Sequence, residues 1–186
     1  MATCLVIYAN GSEDIEVTTQ TDILTRGGVK VTKAALCDEG TTVTLAHGTK
    51  VICDANLEDC KDSLYDLIVI PGGLDGSIAC RDSATLIKML KAQKARGAYI
   101  GAICAAPGFV LGTHGIIGEN DLATGYPGCT DTIKNLSTAG VVVNKEAKII
   151  TGKGPAFSFA FGYAMLEALM GKEVCDKVKA GMLYTD

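Results

Sequence analysis

Short apolar runs alternate along the chain with longer stretches in which apolar residues recur at every third or fourth position. Runs of the first kind predict buried strands and those of the second kind amphipathic helices. Residues 4–9 read as a strand, Asn10-Gly11-Ser12 as a turn, and residues 13–26 as a capped helix closed by Gly27-Gly28. Residues 29–36 return as a second strand, whose parallel pairing with the first needs the intervening helix. Residues 37–53 alternate polar and apolar types, with Thr41, Thr42, Val43, Thr44 and later Val51-Ile52 suggesting a short antiparallel excursion.

Asp66-Leu67-Ile68-Val69-Ile70 is nearly all apolar, as expected for a strand covered on both faces, and it ends at Pro71-Gly72-Gly73. Ser83 caps a helical pattern carrying Leu86, Ile87 and Leu90, which Gly97 stops before a strand leads to Cys104. Val141-Val142-Val143 and Lys148-Ile149-Ile150-Thr151 predict a hairpin or two short strands. After Gly152-Lys153-Gly154-Pro155 comes a last long helix, whose stripe of Phe157, Phe161, Ala164, Met165, Ala168 and Leu169 reads as core. The whole pattern predicts one domain over residues 1–186, an α/β sandwich with a mostly parallel sheet and helices on both faces. Ligands of such sheets bind beyond the carboxyl ends of strands. The exit of the first strand, Pro71-Gly72-Gly73 and Cys104 all fall at such ends.

At 186 residues the chain has the usual size of one domain. With 17 Lys and Arg against 21 Asp and Glu, the net charge of −4 provides no basic footprint for nucleic acid. No apolar run approaches the roughly 18 residues of a membrane span. Met1-Ala2-Thr3-Cys4 leads directly into a strand, so a soluble cytoplasmic protein is expected. The eight cysteines include no CxxC pair, so neither a metal site nor any other cofactor is expected, and most of the cysteines read as packing residues.

Cys104 differs from the rest because a strand turns there directly into a helix, the arrangement of a nucleophile elbow. Pro107 fits a first helical turn, where its missing N–H costs nothing. Free N–H groups and the dipole of a helix start would favour thiolate at such a position. Glycine permits close backbone approach, so one of the Gly72 and Gly73 amides, with that of Ala105, suggests an oxyanion hole. Glu16, one turn into the first helix, is the candidate proton carrier, its pKa raised if it sits against the thiol in a partly apolar pocket. Glu13 and Asp14 read as exposed.

Several separate motifs, in order, resemble the DJ-one branch of the ThiJ/PfpI superfamily. They are Glu-Asp-Ile-Glu at 13–16, Arg-Gly-Gly-Val-Lys-Val at 26–31, Leu-Glu-Asp at 57–59 and Tyr-Asp-Leu-Ile-Val-Ile-Pro-Gly-Gly at 65–73. Ala-Ile-Cys-Ala-Ala-Pro at 102–107, Gly-Pro at 154–155 and Gly-Lys-Glu-Val at 171–174 continue the match. The resemblance implies a flavodoxin-like three-layer sandwich that forms a homodimer. It implies Cys104 as the reactive, oxidisable cysteine, Glu16 as its protonated partner, and Gly73 with Ala105 as the oxyanion-binding amides. Gly72, Tyr126 and Pro155 would lie at the pocket or a dimer contact, Arg26 near the pocket and dimer contact, and Cys53 near the dimer interface.

The family resemblance implies a glutathione-independent glyoxalase or deglycase acting on methylglyoxal, glyoxal or their early adducts, with a role in oxidative-stress protection. A redox sensor oxidised at Cys104 is the alternative reading, and a chaperone a third. Two departures bear on the chemistry. Gly125-Tyr126-Pro127 carries tyrosine where some relatives have histidine, which disfavours a Cys-His dyad. Ala105 follows the cysteine where protease-like relatives have histidine, which disfavours peptide hydrolysis. The two histidines, His47 and His114, read as loop residues, with His47 in loose correspondence to a basic position at the dimer interface.

Overall fold

The computed structural model describes residues 1–185. Strands β1 (Thr3–Ala9), β2 (Lys30–Leu36), β5 (Ala55–Asn56), β6 (Leu67–Ile70), β7 (Tyr99–Ile103), β8 (Val141–Asn144) and β9 (Ile149–Gly152) form one seven-stranded sheet in the order β5-β2-β1-β6-β7-β9-β8. Every neighbouring pair is parallel except β8 with β9. The sheet has the expected flavodoxin-like arrangement, and the excursion is the separate antiparallel hairpin β3 (Thr42–Thr44) and β4 (Lys50–Ile52).

Alternation along β1 shows how the layers are built. Leu5, Ile7 and Ala9 face a core shared with Leu86 and Leu90 of α4 (Ala84–Ala95) and Cys80 of α3 (Leu74–Asp82). Cys4, Val6 and Tyr8 face the other core, with Val17, Ile23 and Leu24 of α1 (Asp14–Arg26) and Phe161, Met165 and Leu166 of α5 (Ser158–Met170). Strands apolar on both sides belong between two helical layers. Phe161 and Met165 bear out the core reading of the last stripe, whereas Phe157 at its start is 38% exposed.

Three helices were not apparent in the sequence pattern: α2 (Leu57–Cys60), α3 and α6 (Lys172–Gly181). Helix α3 buries only Gly76, Ser77 and Cys80, so it packs through small residues and leaves no apolar stripe to read. Helix α6 begins immediately after Gly171, whose φ of 84° breaks it from α5. Among the described residues no helix is long and apolar enough to cross a membrane.

Strand order reverses between β1 and β6, because the chain builds outward from β1 through β2 to β5 before crossing back. That reversal opens a crevice at the carboxyl ends of β1, β6 and β7. The hairpin braces one side of it. Gly11 N–H donates to the Thr44 carbonyl at 2.9 Å, and Ala46 N–H donates to the Ser12 carbonyl at 2.8 Å.

Candidate active site

Cys104 follows the last residue of β7 in the left-handed region, with φ of 64°. Few non-glycine residues adopt that conformation, and it marks the sharp turn of a nucleophile elbow. The turn is clamped on both sides. Cys104 N–H donates to the Gly152 carbonyl of β9 at 2.9 Å, and its own carbonyl accepts from Tyr126 N–H at 2.7 Å. The helix beyond it is a π-helix over Pro107–Gly112, with Pro107 in its first turn. The side chain of Cys104 remains mostly enclosed, at 8% exposure.

Glu16 lies wholly buried in the first turn of α1. Its placement depends on Glu13, read from sequence as exposed but in fact buried, with 8% exposure. Glu13 is the N-cap: its Oε2 accepts from Glu16 N–H at 2.8 Å, and its own N–H donates to the Gly72 carbonyl at 3.1 Å. A capping box would turn the Glu16 carboxyl back onto the Glu13 N–H. Here Gly72 takes that N–H instead, so the Glu16 carboxyl is released toward the crevice, where its Oε2 accepts from Gly72 N–H at 2.7 Å. The Glu-x-x-Glu spacing at 13–16 was the available signal for this role of Glu13.

Gly72 permits the close approach. A Cβ there would lie 2.4 Å from Cys104 Cβ, 2.5 Å from Glu16 Oε2 and 2.9 Å from Cys104 Sγ. Gly73, with φ of 82°, turns the chain into α3, and the backbone amides of Gly73 and Ala105 both act on the Cys104 thiol to lower its proton affinity. The structure thus brings Cys104, Glu16, Gly72, Gly73 and Ala105 together. The two amides that suggested an oxyanion hole thus favour negative charge on the sulfur itself.

Burial pushes the Glu16 carboxyl up to about 7, against the opposing hydrogen bonds from Gly72 N–H and the Cys104 thiol; the neighbouring Glu13 charge adds to the rise. Burial also pushes the Cys104 thiol up to about 12, with the nearby Glu16 charge next in importance and the Gly73 and Ala105 amides pulling the other way. The amides do favour thiolate, in the direction expected of a strand-to-helix turn, but burial and the Glu16 charge outweigh them. Two adjacent negative charges in a buried space repel strongly, so the pair carries at most one charge, on sulfur or on carboxylate. Glu16 Oε1 is buried without a hydrogen-bond partner, a better environment for a protonated carboxyl than for an ionised one.

The remaining candidates are dispersed. Tyr126 and Pro155 line a pocket beside the elbow. Arg26 sits in the last turn of α1, about 15 Å along the helix from Glu16, and pairs with Asp22 at 2.7 Å. Within one chain it is not part of the Cys104 pocket. Cys53, 6% exposed, follows β4 with its N–H donated to the Thr41 carbonyl. Neither histidine bonds the thiol: His114 Nε2 lies 2.8 Å from the Arg81 carbonyl oxygen, and His47 Nδ1 lies 3.1 Å from Asp14 Oδ2. Among the described residues no cluster of His, Cys, Asp or Glu could hold a metal ion.

A cysteine in a left-handed strand-to-helix turn beyond the parallel sheet, beside a buried carboxyl from the first helix, defines an α/β protein of flavodoxin-like architecture with a cysteine elbow. More narrowly, the chain belongs to the DJ-1/PfpI family, whose sequence profile matches residues 2–168. It is 36% identical over 183 residues to Protein DJ-1 homolog A of Arabidopsis thaliana, covering 97% of this chain but 46% of that protein. The chain thus spans about half the length of that relative. A Caenorhabditis elegans relative named glutathione-independent glyoxalase DJR-1.2 is 35% identical over 177 residues, covering 91% of this chain and 89% of that protein. The oxidized DJ-1 of Toxoplasma gondii superposes with a TM-score of 0.95 at 36% identity, covering the whole of both chains.

Proposed function

We propose that the chain is a glutathione-independent glyoxalase that hydrates methylglyoxal or glyoxal to the 2-hydroxy acid through Cys104 and Glu16. The observation that carries this reading is the closeness of the buried Glu16 carboxyl to the Cys104 sulfur, a single Cβ at Gly72 falling 2.5 Å from Glu16 Oε2 and 2.9 Å from Cys104 Sγ, with no histidine bonded to the thiol. A carboxyl whose pKa stands near 7 can both take and return a proton at neutral pH. The name borne by the C. elegans relative agrees with this chemistry.

In the reaction, Glu16 carboxylate accepts the thiol proton as Sγ attacks the aldehyde carbon. The proton returns from Glu16 to the new alkoxide, near the amides of Gly73 and Ala105, leaving a neutral hemithioacetal and a free carboxylate. Glu16 then removes the hydrogen on that carbon as a proton and delivers it to the adjacent carbonyl carbon. The hemithioacetal hydroxyl proton passes to the second oxygen, giving a 2-hydroxy thioester. Water cleaves the thioester, releasing the hydroxy acid and regenerating the thiol, so that methylglyoxal plus water becomes lactate. Cys104→Ser is expected to abolish lactate formation from methylglyoxal without glutathione, and Glu16→Gln to lower kcat at least about a hundredfold. Undiminished turnover in either variant sinks the reading.

A second reading, stoichiometric redox sensing, draws support from the Gly73 and Ala105 amides, which favour negative charge on the sulfur. Two equivalents of peroxide convert the thiol to sulfinic acid and release two waters, and the new oxygens would meet the Gly73 and Ala105 amides and a protonated Glu16. Mass analysis after mild peroxide should find oxidation concentrated at Cys104. Even modification of all eight cysteines would count against sensing.

A further inference from the structure

Beside the elbow lies a pocket of about 210 Å³ walled by Tyr126, Pro127, Gly154, Pro155 and Phe157, with Lys153 at its edge. Its surface is almost entirely carbon, because the Lys153 ammonium is drawn toward the Thr138 carbonyl at 3.4 Å and leaves its methylene stem to the wall. Both walls are tied to the nucleophile's backbone. Tyr126 N–H donates to the Cys104 carbonyl at 2.7 Å, and Cys104 N–H donates to Gly152, two residues before Gly154. The Tyr126 ring stands over Gly154, where a Cβ would lie 3.4 Å from its Cδ2. In the single chain Tyr126 and Phe157 are 48% and 38% exposed, so aromatic surface stands open beside Cys104.

Glyoxal has no apolar substituent and methylglyoxal a single methyl, so neither fills this space. An apolar cavity of about 150 Å³ is enough to hold benzene. We infer that the substrate class of the Cys104 site is 2-oxoaldehydes bearing an aryl or branched alkyl substituent, which seats between Tyr126, Pro155 and Phe157. The inference rests on the proposed addition of Cys104 to an aldehyde and changes no bond in that sequence. The same hydration turns phenylglyoxal and water into mandelate.

The test compares kcat/KM for phenylglyoxal and methylglyoxal, without glutathione, in the wild type, Tyr126→Ala and Tyr126→Phe. Wild type should favour phenylglyoxal at least about tenfold, the discrimination a well-filled apolar subsite provides. Tyr126→Ala should lower that ratio at least about fivefold, and Tyr126→Phe should preserve it. Equal kcat/KM for the two aldehydes in the wild type, or equal loss on both in Tyr126→Ala, overturns the inference. Absence of all turnover refutes the glyoxalase reading instead. The subsite is then judged by calorimetric titration of Cys104→Ser protein with mandelate and lactate. Mandelate should bind at least about tenfold tighter, with the difference lost on adding Tyr126→Ala, and equal binding overturns it.

Discussion

Burial pushes the thiols of Cys104 and Cys80 both up to about 12, yet the regions around them differ in kind. Cys80, on α3, owes its rise to burial alone and lies fully enclosed among Leu86, Leu90 and Ile70. At Cys104 burial is joined by the charge on Glu16 and opposed by the amides of Gly73 and Ala105. Once Glu16 takes up a proton, its repulsion vanishes while the amides remain. Proton affinity therefore does not distinguish a packing cysteine from a reactive one. The distinction lies in whether some of what holds the proton can be removed.

The strongest way to break this contrast is Gly72→Ala. The new Cβ would fall within 2.4–2.5 Å of Cys104 Cβ and Glu16 Oε2, forcing the pair apart. Turnover of methylglyoxal should fall about a thousandfold, as expected when positioned proton transfer is lost. Unfolding in urea should show an accompanying loss of about 1–3 kcal/mol from overpacking. A rate near wild type would mean that the close approach serves packing only.

A second measurement sharpens the Glu16 half of the comparison. Glu16 holds its proton more tightly in the fold, at about 7, than at its usual 4.5. The folded state therefore binds more protons between those values, and stability falls as pH rises through that window. This contribution is fully present below pH 4.5 and lost above about 7, a swing of about 3 kcal/mol. Urea midpoints for wild type and Glu16→Gln across pH 4.5–8 should differ by that slope, and parallel curves would show Glu16 ionised throughout.

The smallest effect belongs to the control side. Cys80→Ala should lower stability by about 1 kcal/mol through a small cavity, yet leave glyoxalase kcat/KM within about twofold of wild type. A large loss of activity would erase the distinction between the two cysteines.

Much of this was legible in the sequence where one element carries one signal. The all-apolar runs of β6 and β7, the Gly27-Gly28 stop of α1 and the Pro107 turn after Cys104 each betray their role locally. Cys104 and Glu16 were identifiable because strand-to-turn positions and family motifs coincide there. What escaped depends on partners distant in the chain. Helix α3 is held by small residues whose fit needs β1 and the Ser12 loop. Glu13 looks like any solvated carboxylate until the Gly72 carbonyl takes its N–H. Helix content around 107–112 reads as ordinary, whereas hydrogen bonds such as Thr113 N–H to the Gly108 carbonyl widen it to a π-helix.

The backbone at Gly72 and Gly73 has a consequence for how such a protein can diversify. A side chain at Gly72 would collide with the reacting pair, and one at Gly73 would lie 2.2 Å from the Gly11 carbonyl oxygen. That half of the crevice is closed to elaboration. Room for new side chains lies on the opposite bank, in the turn around Tyr126 and the segment from Gly154 to Phe157, where side chains stand open to water. Under the proposed reaction, the reacting pair and the choice of substrate fall on separate stretches of chain, the first fixed by close backbone approach and the second open to substitution.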